Sequence, residues 1–390
     1  MASKIIPHGL EIPAPGPGMN AWDAEAAGAP ITIAATATAV PEHAITIANV
    51  KEYLNKVFPL SESRVSMMLD VIANAKVEKR YFVYPVDYTV TPRSLTQTSL
   101  EYQEHAVKLG KRVTEECLER AGLTPEDVDM IISVSCTGVM LPSLDAYLIN
   151  ALGFRSDVRR LPITELGCSG GAAALGRAWD FLKGVNEGNV LIVVVELPSL
   201  TFQRRDQSIA NLISSILFGD GAAAVMITRG SGAAGMVEAG NGESSCPQIL
   251  GAQTHIVPNT MDALGFDLKD NGLHIVLSQD VPHLVREKIA GIVDGFLGRH
   301  GLSHQDMSAF VLHSGGQKLL THVEEVLNLP RELTQFSWDV LKNYGNQSSA
   351  SVLFVLQEWM RKARLAEGDY GFLAAFGPGF TVDMVLLQWT

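Results

Sequence analysis

Cysteine is scarce: Cys117, Cys136, Cys168 and Cys246 are the four in 390 residues. They form no C-x-x-C pair and follow no regular spacing, which speaks against a disulfide framework. No secretory leader is legible at the N-terminus, so reduced thiols in a cytoplasmic protein are expected. Long apolar runs are missing as well. The longest, such as Val190-Leu191-Ile192-Val193-Val194-Val195, have strand length, far from the ~20 residues a membrane helix needs, so no membrane span is expected. Basic charge is in deficit: 30 Lys and Arg face 42 Asp and Glu, a net charge of −12. That balance argues against a nucleic-acid partner, which selects a basic face. It leaves room for a local basic patch that holds an anionic substrate. The glycines around Cys168 do not spell G-x-G-x-x-G, and no P-loop lysine is present. His300 and His304 are four apart, but Gly301 lies between them and no third ligand is evident, so no metal site is expected.

What is present describes a folded chain. Hydrophobic residues make up 47% and charged residues 18%, enough for a large buried fraction. The length admits two domains or one duplicated core. Residues 1–28, with Pro13, Pro15, Gly16, Pro17 and Gly18, read as a flexible arm. Alternating small and β-branched residues over 31–40 predict the first strand. Residues 46–75 and 96–121 predict helices, the second ended by Gly122. Met130-Ile131-Ile132-Ser133-Val134-Ser135 predicts a buried strand. Strand and helix alternate from there on, which implies an α/β layered fold.

The chain also repeats itself. Gly122-Leu123-Thr124-Pro125-Glu126-Asp127 and its following strand recur as Gly301-Leu302-Ser303-His304-Gln305-Asp306, a shift of 179. Glu187-Gly188-Asn189 before one strand matches Glu367-Gly368-Asp369 before another, a shift of 180. Two matches at nearly one shift predict two related halves. In such a chain, equivalent loops face each other across a pseudo-two-fold axis. The shift sets Cys168 opposite Ser348 and brings the element ends at Cys168, His313 and Asn346 into position to converge.

Cys168 lies between small residues at the start of a helical segment, Thr164-Glu165-Leu166-Gly167-Cys168-Ser169-Gly170-Gly171. Small neighbours let another group approach the sulfur. The free N–H groups of a first helical turn lower a thiol pKa toward the reactive thiolate. A nucleophile is the reading, against the commoner fate of a cysteine packed as a small hydrophobe. His313 closes Phe310-Val311-Leu312, and Asn346 sits in Asn343-Tyr344-Gly345-Asn346-Gln347-Ser348. Alone, each reads as a structural histidine and a turn residue. Together they supply a base for the thiol and two donors for an oxyanion or enolate. That set suits acyl transfer through a thioester followed by carbon–carbon bond formation.

Five ordered motifs then become recognisable. Gly167-Cys168, Leu217-Phe218-Gly219-Asp220-Gly221, Leu312-His313-Ser314-Gly315-Gly316, Gly345-Asn346-Gln347-Ser348-Ser349 and Phe376-Gly377-Pro378-Gly379-Phe380 resemble those of the chalcone synthase-like type III polyketide synthases. The resemblance runs from about residue 30 to the C-terminus and implies a duplicated thiolase-like αβαβα layered fold. It implies an N-terminal half over 29–240 with Cys168 and a C-terminal half over 241–390 with His313 and Asn346. It also implies that Cys168 carries the acyl chain, that His313 keeps the thiolate ionised, and that His313 and Asn346 stabilise the enolate of decarboxylated malonyl-CoA. Coenzyme A thioesters are then substrates, malonyl-CoA and an acyl-CoA starter, with no cofactor. A homodimer is implied, with Leu141 reaching toward the neighbouring subunit.

The same resemblance assigns cavity residues. Phe218 is the aromatic gatekeeper, and Ile275 stands where plant enzymes carry a second phenylalanine. Cys136 replaces a threonine, Thr201 and Ser348 keep their hydroxyls, and Phe266 replaces a glycine. Three positions that usually grip CoA phosphates are Met67, Asp70 and Asn74 here, which leaves Arg64, Lys76 or Lys79 as substitutes. The expected product is a pyrone or resorcinol, with a fatty acyl starter favoured over malonyl priming of a small polyhydroxylated aromatic. An initiating ketoacyl synthase shares the three residues but lacks the Gly377-Pro378-Gly379-Phe380 ending. A catalytically silent acyl-binding subunit would have no need to retain all three.

Overall fold

The structure is a computed structural model that describes residues 28–58, 60–230, 246–278, 280–363 and 365–390. The arm expected over 1–28, save Gly28, and the junction expected at 240/241 lie outside the described residues. The N-terminal part runs β1 (Ile31–Ala39), β2 (His43–Thr46), α1 (Ile47–Val57), α2 (Glu62–Asn74), β3 (Lys79–Phe82), α3 (Val86–Thr89) and α4 (Leu95–Ala121). It continues as β4 (Met130–Val134), α5 (Leu144–Leu152), β5 (Arg159–Ile163), α6 (Gly170–Lys183), β6 (Gly188–Glu196), α7 (Ile209–Leu217) and β7 (Gly221–Arg229). The C-terminal part runs β8 (Pro247–Ile256), β9 (Leu264–Lys269), β10 (Gly272–Leu277), α8 (Val281–Gly298), β11 (Met307–Leu312) and α9 (Gln317–Leu327). It ends with α10 (Gln335–Tyr344), α11 (Ser351–Lys362), β12 (Tyr370–Gly377) and β13 (Thr381–Trp389).

Nine of these strands form one mixed sheet in the order β11-β12-β13-β8-β1-β7-β6-β4-β5. At its middle β1 and β8 meet at Thr32 and Gln248. Read outward from that seam, β1-β7-β6-β4 mirrors β8-β13-β12-β11. Each series gives two antiparallel pairings and then a parallel one. The repeat is visible in detail too. Gly122 and Gly301 both take a left-handed φ, 65° and 71°. Each leads into a capping box, Thr124 with Asp127 and Ser303 with Asp306, over a short 3-10 turn.

Side-chain alternation along β6 explains the layers. Ile192 and Val194 point into a core shared with Leu175 and Ala178 of α6, Leu353 and Leu356 of α11, and Val311, Leu373 and Val385 from the other series. Leu191, Val193 and Val195 point the opposite way, against Leu109 and Val113 of α4 and Leu148 of α5. The C-terminal strands bury Phe310, Phe372 and Leu386 against Val285 and Ile289 of α8 and Leu320 of α9. The sheet thus folds around α6 and α11, and the sequence of layers is helix, sheet, helix, sheet, helix.

The helix expected over 46–75 is two helices. Phe58, next to Pro59, is extended at φ −114° and ψ 125°, the conformation that a following proline imposes. Thr46 belongs to β2, pairs with Lys79 and caps α1. Among the described residues no helix is long and apolar enough to cross a membrane.

Candidate active site

Cys168 sits in a single 3-10 turn, Gly167–Ser169, that opens into α6. Gly167 has φ +53°, and a side chain there would meet the Pro378 ring at 2.5 Å. A Cβ on Gly171 would lie 2.2 Å from the Ser349 carbonyl oxygen. These two glycines let the cysteine turn press against the Pro378 loop and against the opposite 3-10 turn, Ser348–Ala350. The residues that the 180-residue shift relates therefore touch: Cys168 Sγ lies 3.3 Å from Ser348 Oγ.

Burial, rather than the helix terminus, sets the thiol. Enclosure pushes the Cys168 thiol up to about 12, the nearby Glu196 carboxylate adds to the rise, and the Ser348 hydroxyl only partly offsets it. Enclosure thus acts against the lowering that a helix start exerts on this thiol. His313 follows β11, is 2% exposed, and is pushed down to about 4 by burial, with Nδ1 lacking a hydrogen-bond partner among the described residues. Burial therefore disfavours the charged form of both the thiol and the imidazole in the free site. Alkylation of Cys168 by iodoacetamide, followed by peptide mass spectrometry, is expected to rise about tenfold per pH unit from 7 to 9. A plateau by pH 7 would show a thiolate already formed.

Asn346 is fixed at both ends of its amide. Oδ1 accepts from the Ser348 N–H at 2.8 Å, and Nδ2 donates to the Gly315 carbonyl at 3.1 Å, beside His313. Its backbone clasps the end of α7: Asn346 N–H donates to Leu217 O at 2.8 Å, and Gly219 N–H donates to Asn346 O at 3.0 Å. Cys168, His313, Asn346, Phe218 and Ile275 all line one cavity of about 810 Å³. Phe218 and Ile275 also line a second void of about 90 Å³, with Thr201, Phe266 and Arg80. They stand on the partition between the two. Ile275 and Phe266 are cross-strand partners in the β9–β10 hairpin, so one hairpin carries two of the substitutions singled out in the sequence.

Other expected residues fall elsewhere. Cys136 and Ser348 line neither void. Cys136 Sγ lies 3.1 Å from Ser348 Oγ, which makes the serine a bridge between two thiols. Leu141 is 91% exposed, next to Pro142, and lines neither void of its own chain. Met67, Asp70 and Asn74 do line the larger cavity, as counting back along α2 predicts, but Arg64, Lys76 and Lys79 do not. Arg64 donates to the Gln207 carbonyl at 2.8 Å, and Lys79 lies over the Tyr81 ring.

Two residues escaped the sequence reading. Glu196, fully buried, accepts from Thr137 Oγ1 at 2.6 Å, from Ser349 Oγ and from the Cys136 N–H, and burial pushes its carboxyl up. A carboxylate closing the wholly apolar run 190–195 was its signal. Lys318, the second residue of α9, lines the larger cavity. Its signal was a cation just beyond Gly315-Gly316.

Two family models match the chain: chalcone and stilbene synthases, N-terminal domain, over residues 19–232, and the C-terminal domain over residues 248–389. The chain is 36% identical over 358 residues to 1,3,6,8-tetrahydroxynaphthalene synthase of Streptomyces peucetius subsp. caesius, across 92% of this chain and 93% of that one. It is 32% identical over 353 residues to phloroglucinol synthase of Pseudomonas fluorescens, across 90% and 97%. The crystal structure of 1,3,6,8-tetrahydroxynaphthalene synthase from Streptomyces coelicolor, a bacterial type III polyketide synthase, is similar at a TM-score of 0.85 and 33% identity. That likeness covers 92% of this chain and 99% of the other.

Proposed function

Because the chain belongs to the chalcone and stilbene synthases, the type III polyketide synthases, we propose that it builds a small polyhydroxylated aromatic from malonyl-CoA on Cys168. Enzymes of this family join CoA thioesters by decarboxylative Claisen condensation and use no cofactor. His313 accepts the Cys168 proton as the sulfur attacks the starter thioester, and passes it to the departing CoA sulfur. Burial favours the neutral pair in the free site, so the proton moves during the attack rather than before it. A second malonyl-CoA then loses CO2. The resulting enolate oxygen is held by the His313 N–H and the Asn346 amide, and its carbon attacks the thioester on Cys168. The lengthened chain leaves on CoA and is reloaded.

The observation that carries the choice of product is the void of about 90 Å³ beyond Phe218 and Ile275. It has room for only a few heavy atoms. A malonyl-derived chain that folds and closes on itself suits that space. An acyl tail of eight or more carbons requires the hairpin to move. Relatives named for tetrahydroxynaphthalene and for phloroglucinol support the same class. A fatty acyl starter is the second reading, and it rests on Ile275 standing where a bulkier ring would close the partition. The exposed Leu141 supports a homodimer, in which a second copy covers it.

Mass spectrometry of products from the purified protein tests this, with malonyl-CoA alone and with acetyl-, benzoyl- and C6–C18 acyl-CoA starters. The expected result is a polyhydroxylated aromatic from malonyl-CoA alone, at a turnover at least tenfold above that of any added starter. Pyrones or resorcinols that appear only with long-chain starters would replace this reading with the fatty acyl one.

A further inference from the structure

The nucleotide end of CoA carries several phosphate charges, and this chain, at −12 overall, repels it. A local cation at the entrance of the Cys168 cavity has to offset that field. The family's usual positions on α2 supply none, since Met67, Asp70 and Asn74 line the cavity there. Of the described residues that line it, the charged ones are Asp70 and Lys318.

We propose that Lys318 holds the CoA phosphates at the rim of the Cys168 cavity, so that the phosphate grip has moved from α2 to the start of α9. The proposal rests on the reading that CoA thioesters enter by this cavity. The segment from His313 to Lys318 lines the cavity at every position but Ser314: His313, Gly315, Gly316, Gln317 and Lys318 all face it. His313 is buried and Lys318 is exposed, so five residues run from the inner end to the rim. Their span is at most about 17 Å, comparable with an extended pantetheine arm. The wall along which that arm would lie is apolar, with Val71, Ile213, Leu277 and Val285 among its residues. Lys318 has no ion pair among the described residues, whereas neighbouring cations are engaged. Arg286 of α8 pairs with Glu325 at 3.5 Å, and Arg64 is turned to the Gln207 carbonyl. Asp70 on the facing helix is the one charge lining the cavity that opposes an anion there.

Titration calorimetry of free CoA and of pantetheine reads this contact without turnover. Failure of the synthase reading, seen as absence of products, is thereby kept apart from failure here. The wild-type chain is expected to bind CoA more tightly than pantetheine, with an affinity that falls as salt rises. Lys318→Ala is expected to weaken CoA three- to tenfold, to leave pantetheine within twofold and to flatten the salt dependence. Lys318→Arg keeps wild-type behaviour, because a phosphate accepts either cation. Asp70→Asn strengthens CoA binding and leaves pantetheine alone. Equal losses for CoA and pantetheine in Lys318→Ala would make the residue a structural one, and an unchanged CoA affinity would overturn the proposal outright.

Discussion

Cys168→Ala is expected to lower polyketide formation by about 10⁴-fold or more while leaving decarboxylation of malonyl-CoA within a few-fold of wild type. The split follows from the division of labour in the cavity. Carbon–carbon bond formation needs an acyl group held next to the enolate, and the Cys168 sulfur is proposed to hold it. Loss of CO2 needs only donors for the enolate oxygen, the role proposed for His313 and Asn346 on other loops. The substitution leaves little behind to disturb. Among the described residues the Cys168 side chain has one hydrogen-bonding contact with another residue, to Ser348, whose hydroxyl keeps Cys136 as a partner. Two assays read the split: chromatography of acetyl-CoA formed from malonyl-CoA, and mass spectrometry of condensed products. Residual condensation above about 1% would mean that another group carries the chain, and Cys136, across Ser348, would be the first to examine. A parallel loss of decarboxylation would mean that the thiol is needed for both steps.

The sequence legibly carried what depends on pattern. The unbroken apolar run over residues 190–195 has strand length, and the structure makes it a strand whose side chains enter two different cores. The 179–180 shift predicted two related series of elements, and the mirrored strand order, the paired capping boxes and the contact of Cys168 with Ser348 follow from it. What depends on the sum of surroundings was not legible. A thiol at a helix start is pulled down by the local backbone and pushed up by enclosure, and only the folded chain shows that enclosure wins. The role of Ser348 as a link between two thiols needed the facing turn in place. The cations near α2 do not line the cavity, whereas Lys318 of α9 does. Lys318 is some 240 residues further along the chain, and only tertiary packing brings it and Asp70 to the lining of one cavity.

Asn346→Asp is expected to show the opposite split, with decarboxylation lowered about 10²- to 10³-fold and condensation lost with it. The exchange is nearly isosteric and isolates one atom. An aspartate keeps the oxygen that accepts from the Ser348 N–H at 2.8 Å, so the turn that holds Ser348 against Cys168 has the same support. The clasp between Asn346 and the end of α7 is made by backbone atoms and is untouched. What goes is the Nδ2 donor, with its bond to the Gly315 carbonyl at 3.1 Å, and what arrives is a negative charge beside the place where the enolate oxygen gains its own. The new carboxylate also favours protonated His313, whose pKa burial now holds down at about 4, so the imidazole would titrate closer to neutral pH in the variant. Decarboxylation in Asn346→Asp is therefore expected to recover in part as pH falls and the carboxylate takes up a proton, a trend the wild type lacks. The same two assays, run from pH 5.5 to 8.5 with the thermal midpoint as a check on folding, decide the matter. Decarboxylation within tenfold of wild type at pH 7 would reduce Asn346 to a turn residue and leave His313 as the sole donor. A variant that keeps its thermal midpoint and condenses nothing, set against a Cys168→Ala chain that still releases CO2, would separate the enolate from the acyl carrier within one cavity.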